Sequence, residues 1–122
     1  MKLSDCVRAY EAVMAISRQE FDYKTAFSLV RLERQLRPHA KFYVEQERKL
    51  VEQYAKRDDK GIVWGENGFI LQNPEKAEEY ATRRKELGDV EVEDGPLVAV
   101  RLDRVSPAHL AALDGFVEFE EG

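Results

Sequence analysis

The spacing of hydrophobic positions changes along the chain, and each change marks an element. From Ser4 to Ser17, apolar residues recur at Val7, Tyr10, Val13 or Met14, and Ile16. That is the spacing of one helical face, with Ser4 placed to cap the start. The polar stretch Ser17–Glu20 reads as a turn.

A second, longer helical pattern runs from about Asp22 to Arg57. Its stripe is Ala26, Leu29, Leu32, Leu36, Ala40, Tyr43, Leu50 and Tyr54, with a gap at Glu47. Pro38 interrupts it. A proline inside a helix removes one backbone donor and crowds the preceding turn, so the pattern predicts either a kink or two helices meeting at Arg37-Pro38. A continuous helix of this length would span roughly 50 Å. It needs a partner to lie against, and the first helix, running antiparallel, is the nearest one.

After Asp58-Asp59-Lys60-Gly61 the period shortens. Ile62-Val63-Trp64 and Phe69-Ile70-Leu71 flank Gly65-Glu66-Asn67-Gly68, which predicts a β-hairpin with positive φ tolerated at Asn67-Gly68. Asn73-Pro74 is a helix start, and a polar helix is expected over about 74–87, closed by Gly88. Its first turns are acidic (Glu75, Glu78, Glu79) and its last is basic (Arg83, Arg84, Lys85), matching the helix dipole. Val90–Glu93 alternates like a strand, and Leu97–Leu102 is the most strand-like run of all. Ser106-Pro107 opens a short helix that ends before Asp114-Gly115. Phe116–Phe119 reads as a last strand or a packed tail. The expected fold is α+β: a long helical hairpin over residues 1–57, then a mixed part over 58–122 with a small antiparallel sheet and short helices. Together they make a single domain of 122 residues.

Composition narrows the function classes. Hydrophobic residues make up 43% of the chain and charged residues 35%, enough for a core but with much exposed surface. A chain of this size buries only about two-thirds of its unfolded surface, so a homodimer would add stability. The single cysteine, Cys6, excludes an internal disulfide. No signal peptide and no run of roughly 20 apolar residues is evident, so a cytoplasmic protein with no membrane association is expected. The net charge of −5 conceals an asymmetry: residues 1–57 carry +4 and residues 58–122 carry −9. The acidic half argues against a general nucleic-acid binder, which needs concentrated positive charge.

No catalytic residue, metal ligand set or cofactor motif emerges. His39 and His109 lie far apart without ligand-spaced neighbours, and Cys6 falls beside an apolar helical face, where a free thiol usually behaves as a small hydrophobe. The glycines at 61, 65 and 68 precede neither a phosphate-loop lysine nor a helix. The acidic turn with Asp58, Asp59, Glu66 and Asn67 lacks the spacing of a calcium loop. The strongest positive signal is a basic face on the second helix: Lys24, Arg31, Arg34, Arg37, Lys41 and Arg48. Such a stripe can dock an acidic protein surface or a phosphate backbone; it is also the usual solvated side of an amphipathic helix, paired here with Glu33, Glu45 and the acidic half. Trp64 and Phe69 can pair across the hairpin or project as an interaction anchor.

The chain carries Met1-Lys2-Leu3, Lys56–Gly61, Asn73–Tyr80, Asp89–Glu93 and Ser106–Phe116 in that order. In this it resembles small proteins of tailed bacteriophages and prophages, a group mostly without assigned function. The resemblance covers most of the chain and implies a phage or mobile-element origin in a bacterial host. It supplies no catalytic residues. The reading is a non-enzymatic accessory protein that binds a host or virion protein, with inhibition of a bacterial defence system as one form. Arg31, Arg34, Arg37, Lys41, Trp64 and Phe69 are the expected contact residues. The alternative is a nucleic-acid-associated factor using the basic helix face.

Overall fold

The computed structural model describes residues 1–120. Its frame is a helical hairpin of α1 (Leu3–Ile16) and α2 (Tyr23–Tyr54). Asp22 caps α2 by accepting from the Thr25 N–H at 2.7 Å, and this bond holds its carboxyl below the usual range. The helix then runs unbroken through Pro38, neither divided nor replaced by two helices. Pro38 lies on the exposed side of α2, where its ring meets solvent rather than the core. The lost backbone bond is therefore tolerated, because the packed face on the other side continues undisturbed: Leu29, Leu32, Leu36, Ala40, Leu50 and Tyr54 are all buried. The helix ends at Tyr54, three residues before Arg57, because Ala55 already pairs with Leu71 in extended form.

Ser4 is not the cap of α1. Leu3 donates to Val90 O (2.8 Å) and Val92 donates to Met1 O (2.7 Å), so the start of the chain is held extended against residues 90–92. The helix begins directly afterwards, and the Asp5 carboxylate accepts from the Lys2 N–H at 3.3 Å. Ser4 instead faces a later helix, α3 (Ala77–Gly88). Gly88 is the buried last residue of that helix, and a Cβ built on it would sit 3.3 Å from the Ser4 Cβ. The buried side of α1 is Leu3, Cys6, Ala9, Ala12, Val13 and Ile16, rotated from the expected face so that Val7 and Tyr10 are only half-buried.

The segment after α2 is a double hairpin. Strands β1 (Arg57–Asp58) and β2 (Gly61–Ile62) pair antiparallel, as do β3 (Trp64–Gly65) and β4 (Gly68–Phe69). The second hairpin turns on Glu66-Asn67 alone, and Gly68, not Asn67, takes the positive φ (112°). Three backbone bonds close a ring at the root of the two hairpins: Lys56 donates to Ile70, Ile70 to Val63, and Val63 to Lys56. A one-turn 3-10 segment, Pro74–Lys76, follows. Its Asn73 cap accepts from Glu75 N–H at 3.0 Å, and α3 (Ala77–Gly88) continues from it.

The last third completes the core. Strand β5 (Val98–Val100), helix α4 (Pro107–Leu113) and strand β6 (Val117–Phe119) form a unit in which β5 and β6 run parallel. This parallel pair is a third two-stranded sheet, separate from the two antiparallel hairpins. Ser106 caps α4 by accepting from His109 N–H. Val98, Val100, Leu113 and Val117 join Ala9, Val13, Leu29 and Leu32 in one buried cluster. Residues 90–93 meet Lys2 only in an isolated bridge at Glu91, rather than forming a strand of a sheet. The fold class is α+β, with the long hairpin as its frame and the short strands and helices packed around it.

Candidate functional site: the outer face of the long helix

Because α2 buries only one side, its opposite side is a long exposed surface. Arg31, Arg34, Arg37 and Lys41 all lie there in solvent. Arg37 is occupied: its guanidinium donates to both Glu33 oxygens, at 2.7 and 2.6 Å. The bidentate pair lowers the Glu33 carboxyl below its ordinary range and raises Arg37. Lys24 reaches Glu120 at 3.6 Å. Arg31, Arg34, Lys41 and Arg48 make no ion pair among the described residues. Lys24 and Arg37 are therefore paired within the protein, while Arg31, Arg34, Lys41 and Arg48 have no such pair among the described residues.

The same face also carries apolar side chains. Tyr23 is 95% exposed, Phe27 65% and Val44 60%, with Val30 and Phe42 close to half exposed. Five large apolar residues along one exposed helix differ from the scattered single exposures of an ordinary surface. The basic pattern was legible in the sequence; the apolar side chains between the cations were not singled out. Their signal was present nonetheless, because Tyr23, Phe27, Val30, Phe42 and Val44, like the half-buried Val51, are apolar positions of α2 that its core stripe does not use.

The structure separates the two hairpin aromatics. Phe69 packs edge-on against Tyr80, with ring centroids 5.1 Å apart, and Tyr80 in turn meets Tyr54 at 5.6 Å. Trp64 lies directly opposite Phe69 in register yet is 65% exposed. Phe69 therefore belongs to the packing that seats α3, while Trp64 is available at the surface. It sits beyond the C-terminal end of α2, roughly 45 Å of helix away from Tyr23, so the two exposed aromatic sites do not form one patch.

A cavity of about 200 Å³ brings Cys6 and His39 into the same wall, with Gln35 and Glu93 nearby. Cys6 is 2% exposed, and burial pushes its thiol up, away from the reactive thiolate. Asp58 is engaged by the turn itself, accepting from the Lys60 N–H at 2.8 Å. Among the described residues no three His, Cys, Asp or Glu side chains converge as metal ligands. None of the described helices is long and apolar enough to cross a membrane. No family model, curated protein or solved structure matches the chain.

Proposed function

We propose that the protein is a non-enzymatic accessory factor of a phage or mobile element that acts by docking a host or virion protein. It works in the cytoplasm of a bacterial host, and blocking a defence system is one form such docking takes. The observation that carries the reading is the mixed face of α2. Phe27 and Val30 stand exposed among Arg31, Arg34 and Lys41, which form no ion pair among the described residues. Exposed aromatic and apolar side chains supply binding energy on desolvation, and the cations supply orientation and encounter rate.

The test is affinity purification from the producing bacterium, comparing the wild type with R31E/R34E/K41E at low and raised salt. A protein retained by the wild type and lost from the variant supports docking through this face. The same proteins on both baits refute it.

A second reading, a nucleic-acid-associated factor, draws on the same cations, with Tyr23 and Phe27 available to stack on bases. It predicts a mobility shift of duplex or single strands whose affinity falls steeply with salt. No shift at low salt ends that reading.

A further inference from the structure

Eight of the exposed residues of α2 fall in a register of their own, apart from the core-facing stripe. Tyr23, Phe27, Val30, Arg34, Arg37, Lys41, Val44 and Arg48 follow one another in alternating steps of four and three. All eight are solvent-exposed. This is the a/d spacing of a coiled-coil seam, carried over more than three turns of heptad on a helix whose other side is already packed. A sheet edge or an extended peptide would call for a period of two, and a phosphate backbone needs no period at all.

The chemistry along the seam is graded. Its first three positions are apolar, the next three are basic, and Val44 and Arg48 finish it. A second copy fits this badly. In a parallel pair each cation meets its own counterpart. In the centred antiparallel register Arg34 meets Arg37 of the other copy, and like charges brought together at an interface are costly. Nucleic acid fits badly too. Apolar residues hold half of the seam, Glu45 and Glu52 stand exposed on the same helix, and residues 58–122 carry −9.

Resting on the docking reading above, we propose that the partner presents an acidic amphipathic helix that pairs along this seam. Its apolar residues cover Tyr23, Phe27, Val30 and Val44. Its carboxylates meet Arg34, Lys41 and Arg48, and compete with Glu33 for Arg37. Aromatic and aliphatic side chains at the N-terminal end anchor the pair, and the cations set its register and exclude basic helices.

The experiment uses the full chain and three synthetic peptides, each about four heptads long. The first has Leu opposite the apolar seam positions and Glu opposite the basic ones. The second has Lys in place of Glu. The third has the composition of the first in scrambled order. Binding is followed by fluorescence anisotropy and by the gain in helical circular dichroism. The Glu peptide is expected to bind and gain helix, and to weaken as salt rises from about 50 to about 300 mM. The variants R34E/K41E and F27S/V30S are each expected to weaken it roughly tenfold while keeping the wild-type spectrum. The Lys peptide is expected not to bind.

No binding of the Glu peptide at low salt overturns the inference. Equal binding of the scrambled peptide overturns helix pairing while leaving an acid-seeking docking face in place. Binding of duplex or single strands in place of any acidic peptide overturns the inference and the docking reading together. Concentration-dependent dimerisation of the wild type that F27S/V30S abolishes gives the seam to a second copy, and also overturns it.

Discussion

Cys6 shows how one residue's surroundings decide its chemistry. The thiol is enclosed by the α1–α2 core, and burial raises it above the ordinary thiol range. His39 shares a cavity wall with it, an approach across more than thirty residues that no local spacing could reveal. That proximity does not make a nucleophile, because the thiol stays protonated where attack would need thiolate. The folded protein is therefore expected to react with a disulfide reagent at mildly alkaline pH roughly a hundredfold more slowly than the same protein in denaturant, through local opening alone. Rapid stoichiometric labelling of the folded chain would show that the site is open. The pH dependence has a definite sign. The folded state holds the proton more tightly than the unfolded state does, so this contribution is present below the ordinary thiol range and is lost as pH rises through it and beyond. Replacing Cys6 with Ala should flatten that alkaline loss in thermal melts.

At the scale of elements, α3 shows why a polar helix stays in place. Its interior offers little to bury, and Gly88 is its sole fully buried residue. It is seated by Tyr80, wedged between Tyr54 and Phe69, and by Arg84, which reaches Glu47 at 3.1 Å. Arg83 adds bonds to Gln53 (2.7 Å) and to the Tyr54 hydroxyl (3.2 Å). Removing the ring in Tyr80→Ala is expected to cost about 1–2 kcal/mol. The loss should be local: amide exchange should speed up across residues 77–88 and in the double hairpin, while α1 and α2 keep their protection. Uniform loss of protection would refute this account.

The caps Asn73 and Ser106 were legible, since each is followed by a helix that its side chain caps, whereas Asp22 was legible as a helix start and its capping bond to Thr25 was not. The core stripe of α2 was legible because its period is helical over many turns. Other features depend on partners that a linear pattern cannot supply. Ser4 has the side chain of a cap, but with residues 1–3 paired against 90–92 the helix already starts at Leu3 and Ser4 lies inside it. The parallel pairing of β5 with β6 depends on how α4 folds back, since strands of three residues carry no mark of their direction. Of the proposed contact residues, the cations were legible as a stripe. Their heptad relation to Tyr23, Phe27 and Val30 emerges only when the buried side of α2 is known and its remaining positions can be counted.

For the whole molecule, the question is whether the late segment is an appendage or part of the core. Residues 98–119 follow the helical hairpin by more than forty positions, yet Leu113 is fully buried and Val100 nearly so, in the same cluster as Ala9, Val13 and Leu32. The hairpin's inner surface near α1 therefore has no completed core until β5, α4 and β6 arrive. Truncating Leu113→Ala leaves a void among α1, α4 and β5 and is expected to cost about 3 kcal/mol, lowering the melting temperature by roughly 10 °C. The transition should remain single, because the lost contact belongs to the core shared by both ends of the chain. Trp64→Ala is the contrast. Its side chain is mostly in solvent at the far end of α2, so it should change stability by no more than about 0.5 kcal/mol. Two separated transitions in Leu113→Ala, with the helical hairpin melting at its wild-type temperature, would show that the last third folds as an independent body and that α1 and α2 are stable without it.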